Sequence, residues 1–432
     1  MISFENWSDG FVATVEGIRI LRHSSSSPSI FLGQLKEGRS KEIWRGLGAA
    51  RLINEGPELT VLDFGHDCTI RLSYHERVLH IRPCVSGSRQ GAFRMRFGAH
   101  PGEMLFGCGP SIPYNLKKSK LTLSAGNENG KPRRDPSVLS SRGTWIHVDS
   151  DGSTDWNFRS AITELSCSLA PREIALGFGK TLAGGLELLT RYKAGTRKRL
   201  PAWLQACPLV EEEGTGLRLE ASDDEGEAHR IAKDEWKNIL LTSSTTMIYR
   251  PPEGFRSVSD LTSILLSLAF SGYGHVVMPD ALELAAFSPL FVSKDHAEGQ
   301  GKALSRRRAA SAHIYSMLKS YRDHCSDEWV KKGIPALAHP ALMYPAEPGL
   351  LKLNDQYMFG PDLIVAPSQE GIRQPRRLFL PDDEWIHLWT SRHYHGGTTV
   401  VHAPEGRPAI FYRSRSSFAA LFNALRIMAT RL

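Results

Sequence analysis

No apolar run in this sequence approaches the roughly 20 residues that span a bilayer. Its first residues, Met1-Ile2-Ser3-Phe4-Glu5-Asn6-Trp7, lack the basic head and apolar core of a signal peptide, so a cytoplasmic location is expected. Cysteine is scarce: Cys68, Cys84, Cys108, Cys167, Cys207 and Cys325 are scattered with no CxxC pair. Neither a zinc site nor a disulfide framework is indicated, and buried free thiols are expected. Charge of one sign is not concentrated either. The formal charge is +7, and the basic residues come in short groups such as Arg133-Arg134, Arg306-Arg307-Arg308 and Arg376-Arg377. A nucleic-acid binder would gather them beside exposed aromatics, so neither nucleic acid nor membrane is expected as a partner. Attraction for a small anion is compatible with this charge. GxSxG and HExxH are absent, and Gly299-Gln300-Gly301-Lys302 lacks the upstream glycine and following Ser/Thr of a phosphate loop. No cofactor and no metal are expected; His393, Tyr394 and His395 fall in what should be a turn.

What is present suffices for substantial cores: 41% of the residues are hydrophobic and 23% charged, and this length ordinarily divides into about two to four domains. Residues 1–199 alternate apolar and polar over short segments, among them 10–15, 60–64, 68–74 and 78–82, between Gly, Ser, Asn and Pro turns. That pattern predicts an antiparallel β-sandwich. The polar stretch 119–140 is expected to be a long loop, and residues 181–190 carry leucines at helical spacing. In residues 200–345 the pattern becomes a strand-helix alternation. Short apolar segments at 204–210, 238–241, 247–249, 275–278 and 334–337 are strand candidates. Residues 257–271 form a predicted helix with Ser257 or Ser259 as cap and Gly272 and Gly274 as stop, and a second helix is predicted over 305–325. From 346 to 432 the chain returns to strands, at 362–367, 377–381, 385–389 and 409–413, with a last helix over 416–428.

Several motifs occur in a recognisable order. Phe106-Gly107-Cys108-Gly109 is followed by Tyr114 and Leu116, then by Leu200-Pro201-Ala202-Trp203 and Ala286-Phe287-Ser288-Pro289-Leu290. The C-terminal series runs from Gln356-Tyr357-Met358-Phe359-Gly360-Pro361-Asp362-Leu363-Ile364-Val365-Ala366-Pro367 through Trp385-Ile386-His387-Leu388-Trp389-Thr390 to Phe411-Tyr412-Arg413. Together they resemble glycoside hydrolase family 31, and in wording the bacterial sulfoquinovosidases within it. The resemblance implies an N-terminal β-sandwich, a catalytic (β/α) barrel and C-terminal β domains. A complete barrel takes about 250 residues, more than the stretch 200–345 supplies. The expected fold class is therefore multidomain β plus α/β: an N-terminal β-sandwich, a truncated or incomplete (β/α) barrel and a C-terminal β-sandwich.

The chemistry implied is two-carboxylate hydrolysis, with the two groups about 5–5.5 Å apart at the ends of barrel strands. The family's nucleophilic Asp follows a middle strand for which this sequence has no counterpart. Its acid/base Asp follows a Gly in a Trp-x-Gly-Asp type motif, where Tyr249-Arg250-Pro251-Pro252-Glu253-Gly254 stands here, leaving Glu253 as the nearby carboxylate. The Asp-Ile-Gly-Gly motif survives as Pro279-Asp280, and the Arg-x-His motif as Val292-Ser293-Lys294-Asp295-His296. Glu211-Glu212-Glu213 stands where the family has a sugar-binding strand end. Candidate catalytic residues are thus Glu253, Asp280 and Asp223, and candidate sugar contacts Trp203, Glu213 and His296. The expectation is a degenerate family 31 homologue that binds a sugar or associates with an intact homologue, as a homo-oligomer or in a complex. The alternatives are an active retaining α-glycosidase with a rearranged site and an oligomeric scaffold without ligand.

Overall fold

The computed structural model describes residues 2–34, 43–54, 58–85, 91–110, 114–123, 135–200, 205, 208–212, 216–219, 230–232, 248–249, 257–278, 282–294, 302–368, 375–403 and 407–429. These divide into two compact units, one of residues 1–109 and 115–188 and the other of 110–114 and 189–432.

The first unit is built from alternation. In the strand Ala92–Gly98, Phe93, Met95 and Phe97 are buried while Arg94 and Arg96 face outward, the period of two that a half-covered sheet imposes. This strand lies in a six-stranded sheet with Ile30–Gln34, Ile43–Gly46, Lys120–Leu123, Thr154–Phe158 and Ile162–Cys167. An eight-stranded sheet faces it, running from Leu105–Gly107 through Ser137–Ser140, Thr144–Asp149, Glu173–Phe178, Val78–Val85, Cys68–His75 and Leu59–Asp63 to Arg51–Asn54. Leu32, Met95, Trp156 and Leu165 from the first sheet and Ile70, Ile81, Val148 and Leu176 from the second share one core. The expected sandwich is present. Residues 120–123 and 137–140 pair as strands, so both ends of the expected loop belong to the sheets, and 124–134 lie outside the described residues. Cys68 and Cys167 are buried free thiols, each pushed up to about 12 by burial. Cys84 is exposed, against expectation, and Cys207 lies outside the described residues.

In the second unit, four strands run parallel side by side: Ile248–Tyr249, His275–Met278, Leu290–Lys294 and Leu209–Glu212. Gly216–Leu219 and Arg230–Ala232 continue the sheet antiparallel. The helix Val258–Phe270 connects the first two parallel strands. Its Ser257 hydroxyl accepts from the Asp260 N–H at 3.1 Å, as a capping serine should, and every residue from Leu261 to Phe270 is buried. All four residues of His275–Met278 are buried as well, as expected of a strand inside a parallel sheet. The second predicted helix is longer than expected and broken, Lys302–Met317 and Lys319–Lys332 meeting at Leu318. Gly333 ends it at φ 67°, its N–H donating to Trp329 O at 2.8 Å, the left-handed cap that glycine accepts without a Cβ penalty. Among the described residues the parallel strands form an open layer and no closed barrel, and no helix is long and apolar enough to cross a membrane.

The last sheet orders Leu337–Ala338, Tyr357–Phe359, Leu363–Ala366, Ala409–Arg413, Arg376–His387 and His393–Val401. Four expectations are corrected here. The segment near 334–337 is not a barrel strand: Leu337 and Ala338 pair antiparallel with Phe359 and Met358, so it opens the C-terminal sheet. Among the described residues that domain is a single six-stranded sheet rather than a sandwich. His393, Tyr394 and His395 begin a strand rather than form a turn, opposite Ile386, Trp385 and Glu384. The two strands expected at 377–381 and 385–389 are one long strand, shifted in register between Leu380 and Glu384, where Pro381 has no N–H to donate. The helix Ala419–Ala429 follows.

Candidate functional site

Parallel strands feeding helices present their C-terminal ends on one side, and ligands of α/β folds bind there. The registers place these ends together: Glu211 lies opposite Lys294, Phe291 opposite Met278 and Val276 opposite Tyr249. In sequence, Glu213 follows Glu212 directly, Asp280 comes two residues after Met278, His296 two after Lys294, and Glu253 four after Tyr249. Four of the six candidates thus follow the ends of adjacent strands. Glu213, Glu253, Asp280 and His296 lie outside the described residues, as do Trp203 and Asp223.

The layer beneath is described and firmly built. Val276, Met278 and Phe291 are buried, and Tyr315 packs edge-on against Phe291 with ring centroids 5.8 Å apart. The Tyr315 hydroxyl donates to Pro289 O at 3.2 Å. Arg322, 1% exposed, stacks over the Tyr315 ring at 3.5 Å and donates to the carbonyls of Tyr315 and of Gln205, the latter at 2.6 Å. The Leu200 N–H donates to the Ser326 hydroxyl at 3.1 Å. The helix Lys319–Lys332 therefore anchors the chain just upstream of the strand Leu209–Glu212, and a guanidinium suits the task because it supplies several donors in a fixed plane. Arg322 is absent from the candidates drawn from sequence. Its signal was its place on the apolar stripe, four residues beyond Leu318 and next to Tyr321. Ser288, within the Phe-Ser-Pro motif, donates to Ala285 O at 2.7 Å and shapes the turn that precedes Leu290–Lys294.

At the opposite, N-terminal end of the central strand, His275 is fully buried and held neutral, its imidazole lowered to about 3 by burial. Neither ring nitrogen has a hydrogen-bond partner among the described residues, and the ring lies edge-on to Trp329 with centroids 6.2 Å apart. A neutral core histidine on this side has no part in chemistry at the strand ends. Among the described residues no group of three or more His, Cys, Asp or Glu is placed to hold a metal.

The comparisons with known proteins agree with this layout. The fold class is multidomain, with a β-sandwich, a parallel layer and a C-terminal sheet. The fold superposes on a family 31 sulfoquinovosidase from E. rectale with a TM-score of 0.78, 17% identity and 99% coverage of each chain. Residues 333–416 match the glycosyl hydrolase family 31 C-terminal domain. The sulfoquinovosidase of Escherichia coli (strain K12) is 37% identical over 113 residues, which is 26% of this chain and 17% of that protein. That of Agrobacterium fabrum is 35% identical over 153 residues, 33% of this chain and 23% of that protein. The matched stretches thus span less than a quarter of these curated relatives. The likeness to glycoside hydrolase family 31 thus rests on the domain match over residues 333–416 and on partial matches to sulfoquinovosidases, with a fold of the same kind.

Proposed function

We propose that this chain is a non-hydrolysing family 31 protein that binds a sugar of the α-glucoside or sulfoquinovoside class, by itself or in association with an intact homologue. The observation that carries this reading is the parallel layer, which is open among the described residues. Its four described parallel strands keep the ligand-facing order of strand ends, while Ile248–Tyr249 is its edge strand among the described residues. Retaining hydrolysis requires a nucleophilic carboxylate and an acid carboxylate held about 5–5.5 Å apart. The sequence has no counterpart of the strand that carries the first, and Glu253 stands without the Gly-Asp pair that carries the second. Sugar binding asks less, because hydrogen-bonding groups at adjacent strand ends are enough. A sheet edge that is open among the described residues would favour a covering chain, which supports a second copy or a full-length homologue as partner.

Calorimetric titration of the intact protein with glucose and with sulfoquinovose tests this. Saturable heat with at least one sugar, abolished in Asp280→Asn, is the expected result. No heat with either sugar, together with a self-association seen by sedimentation, would instead identify a scaffold.

A further inference from the structure

The first unit holds a cavity of about 820 Å3, within the ~300–1,000 Å3 common for small-molecule sites. It is lined by the turns at one end of the sandwich and carries four cationic side chains, Arg19, Arg77, Arg142 and Lys180, against two carboxylates, Glu16 and Glu103. Both carboxylates are already engaged. Glu103 accepts from the backbone N–H of His100 at 2.8 Å and from the Ser140 hydroxyl at 2.6 Å. Glu16 accepts from the Tyr74 hydroxyl at 2.5 Å and lies 3.8 Å from Arg77. Arg19, Arg142 and Lys180 have no ion pair among the described residues.

The backbone fixes this gathering of cations. The N–H of Gly179 donates to Gly143 O at 2.9 Å, that of Gly143 to Ser140 O at 2.8 Å and that of Phe178 to Arg77 O at 3.0 Å. Residues 77, 142 and 180 therefore sit on neighbouring segments of one wall. The contact is closed by glycine: Gly143 has φ +86°, and a Cβ there would lie 2.3 Å from Thr181 O. Within the same cavity Ile146 and Thr144 are half-buried and Ile18 is 42% exposed, giving an apolar wall beside the charges.

We propose that this cavity binds a sugar carrying a carboxylate or sulfonate, with the anion between Arg142, Lys180 and Arg19 and the ring against the wall of Ile146 and Ile18. Exposed cations gathered without partners add nothing to stability, but in a concave site they focus the field and raise the local concentration of an anion. Guanidinium then supplies charge-assisted hydrogen bonds to its oxygens. The choice of a sugar, rather than another organic anion, rests on the carbohydrate-binding reading given above; the anion does not. The cavity is made wholly of residues of the first unit, so it is a second site, separate in sequence from the strand ends of the parallel layer.

The test is calorimetric titration of the full chain with glucuronate, inorganic sulfate and glucose, in the wild type and in Arg142→Ala/Lys180→Ala. Both replaced side chains are exposed and unpaired, so the variant is expected to keep the wild-type circular dichroism. Glucuronate affinity should fall roughly tenfold or more in the variant and weaken with added salt, while any heat with glucose stays unchanged. Equal glucuronate affinity in the two proteins would overturn the proposal. Sulfate binding as tightly as glucuronate would overturn the sugar part and leave a plain anion site. Loss of glucose binding in Asp280→Asn with glucuronate binding intact would separate the strand-end site from this one. No binding of glucuronate by the wild type would sink the cavity proposal alone.

Discussion

Replacing Tyr321 by alanine is expected to lower the unfolding free energy by about 3–5 kcal/mol, the range for deleting a buried aromatic ring. Tyr321 is completely buried where the long helix meets the C-terminal sheet. Its ring meets Phe359, Phe418 and Phe422 edge-on at 5.5, 5.1 and 5.2 Å. Its hydroxyl donates to Phe359 O at 2.7 Å and accepts from the Asp362 N–H at 2.9 Å, and burial keeps it protonated far above the ordinary tyrosine range. One side chain thus joins the helix Lys319–Lys332, the hairpin at Phe359–Asp362 and the terminal helix. Tyr321→Phe keeps the ring but strands a buried carbonyl and a buried N–H, for a loss of about 1–3 kcal/mol. Urea titration of the two variants checks the order: alanine worst, phenylalanine intermediate. A phenylalanine variant as stable as the wild type would show that the two hydrogen bonds contribute nothing.

Acid should destabilise the second unit strongly. Burial lowers His275 to about 3 and His339 to about 4, the latter opposed in part by the hydrogen bond of its Nε2 to Leu353 O at 2.9 Å. His387 is lowered to about 4 by burial and by the nearby charge of Arg392. In the unfolded chain each imidazole has its ordinary value of about 6.5. Below that pH the unfolded chain takes up protons that the folded chain refuses, so acid draws the equilibrium toward unfolding. The contribution is complete above pH ~6.5 and is lost progressively toward pH ~4, at about 1.4 kcal/mol per pH unit and imidazole. At pH 5 each should cost about 2 kcal/mol. Urea midpoints at pH 7.5 and pH 5 measure the loss. His275→Leu should make the pH dependence shallower by the share of that one imidazole; an unchanged slope would show that His275 is protonated in the folded protein.

The parts legible in the sequence are those where local chemistry decided the structure. Ser257 before an apolar run, with Gly272 after it, places Val258–Phe270 almost to the residue, and the unbroken apolar His275–Met278 reads as a buried strand. The sandwich is legible because one of its faces is wet, which writes a period of two into each strand. What was missed depends on partners distant in sequence. Leu337–Ala338 is two residues long, and only its pairing with Met358 and Phe359 assigns it to the last sheet. The long strand Arg376–His387 reads as two because Pro381-Asp382-Asp383 carries turn chemistry that a bulge absorbs. Arg322 looks like a surface charge on its helix until the Gln205 carbonyl and the Tyr315 ring enclose it. The motifs of the C-terminal sheet carry the likeness to family 31, whereas the candidate residues after the strand ends depart from the family's motifs in sequence. The likeness was therefore legible where the chemistry was not.

The most direct test of the account is hydrolysis of aryl α-sulfoquinovoside and aryl α-glucoside by the purified protein, followed by release of the aryl alcohol. The account predicts no release above the buffer blank, and the same result for Glu253→Gln and Asp280→Asn. Turnover by the wild type that disappears in either variant would contradict it, and would identify a rebuilt two-carboxylate site at the ends of the parallel strands.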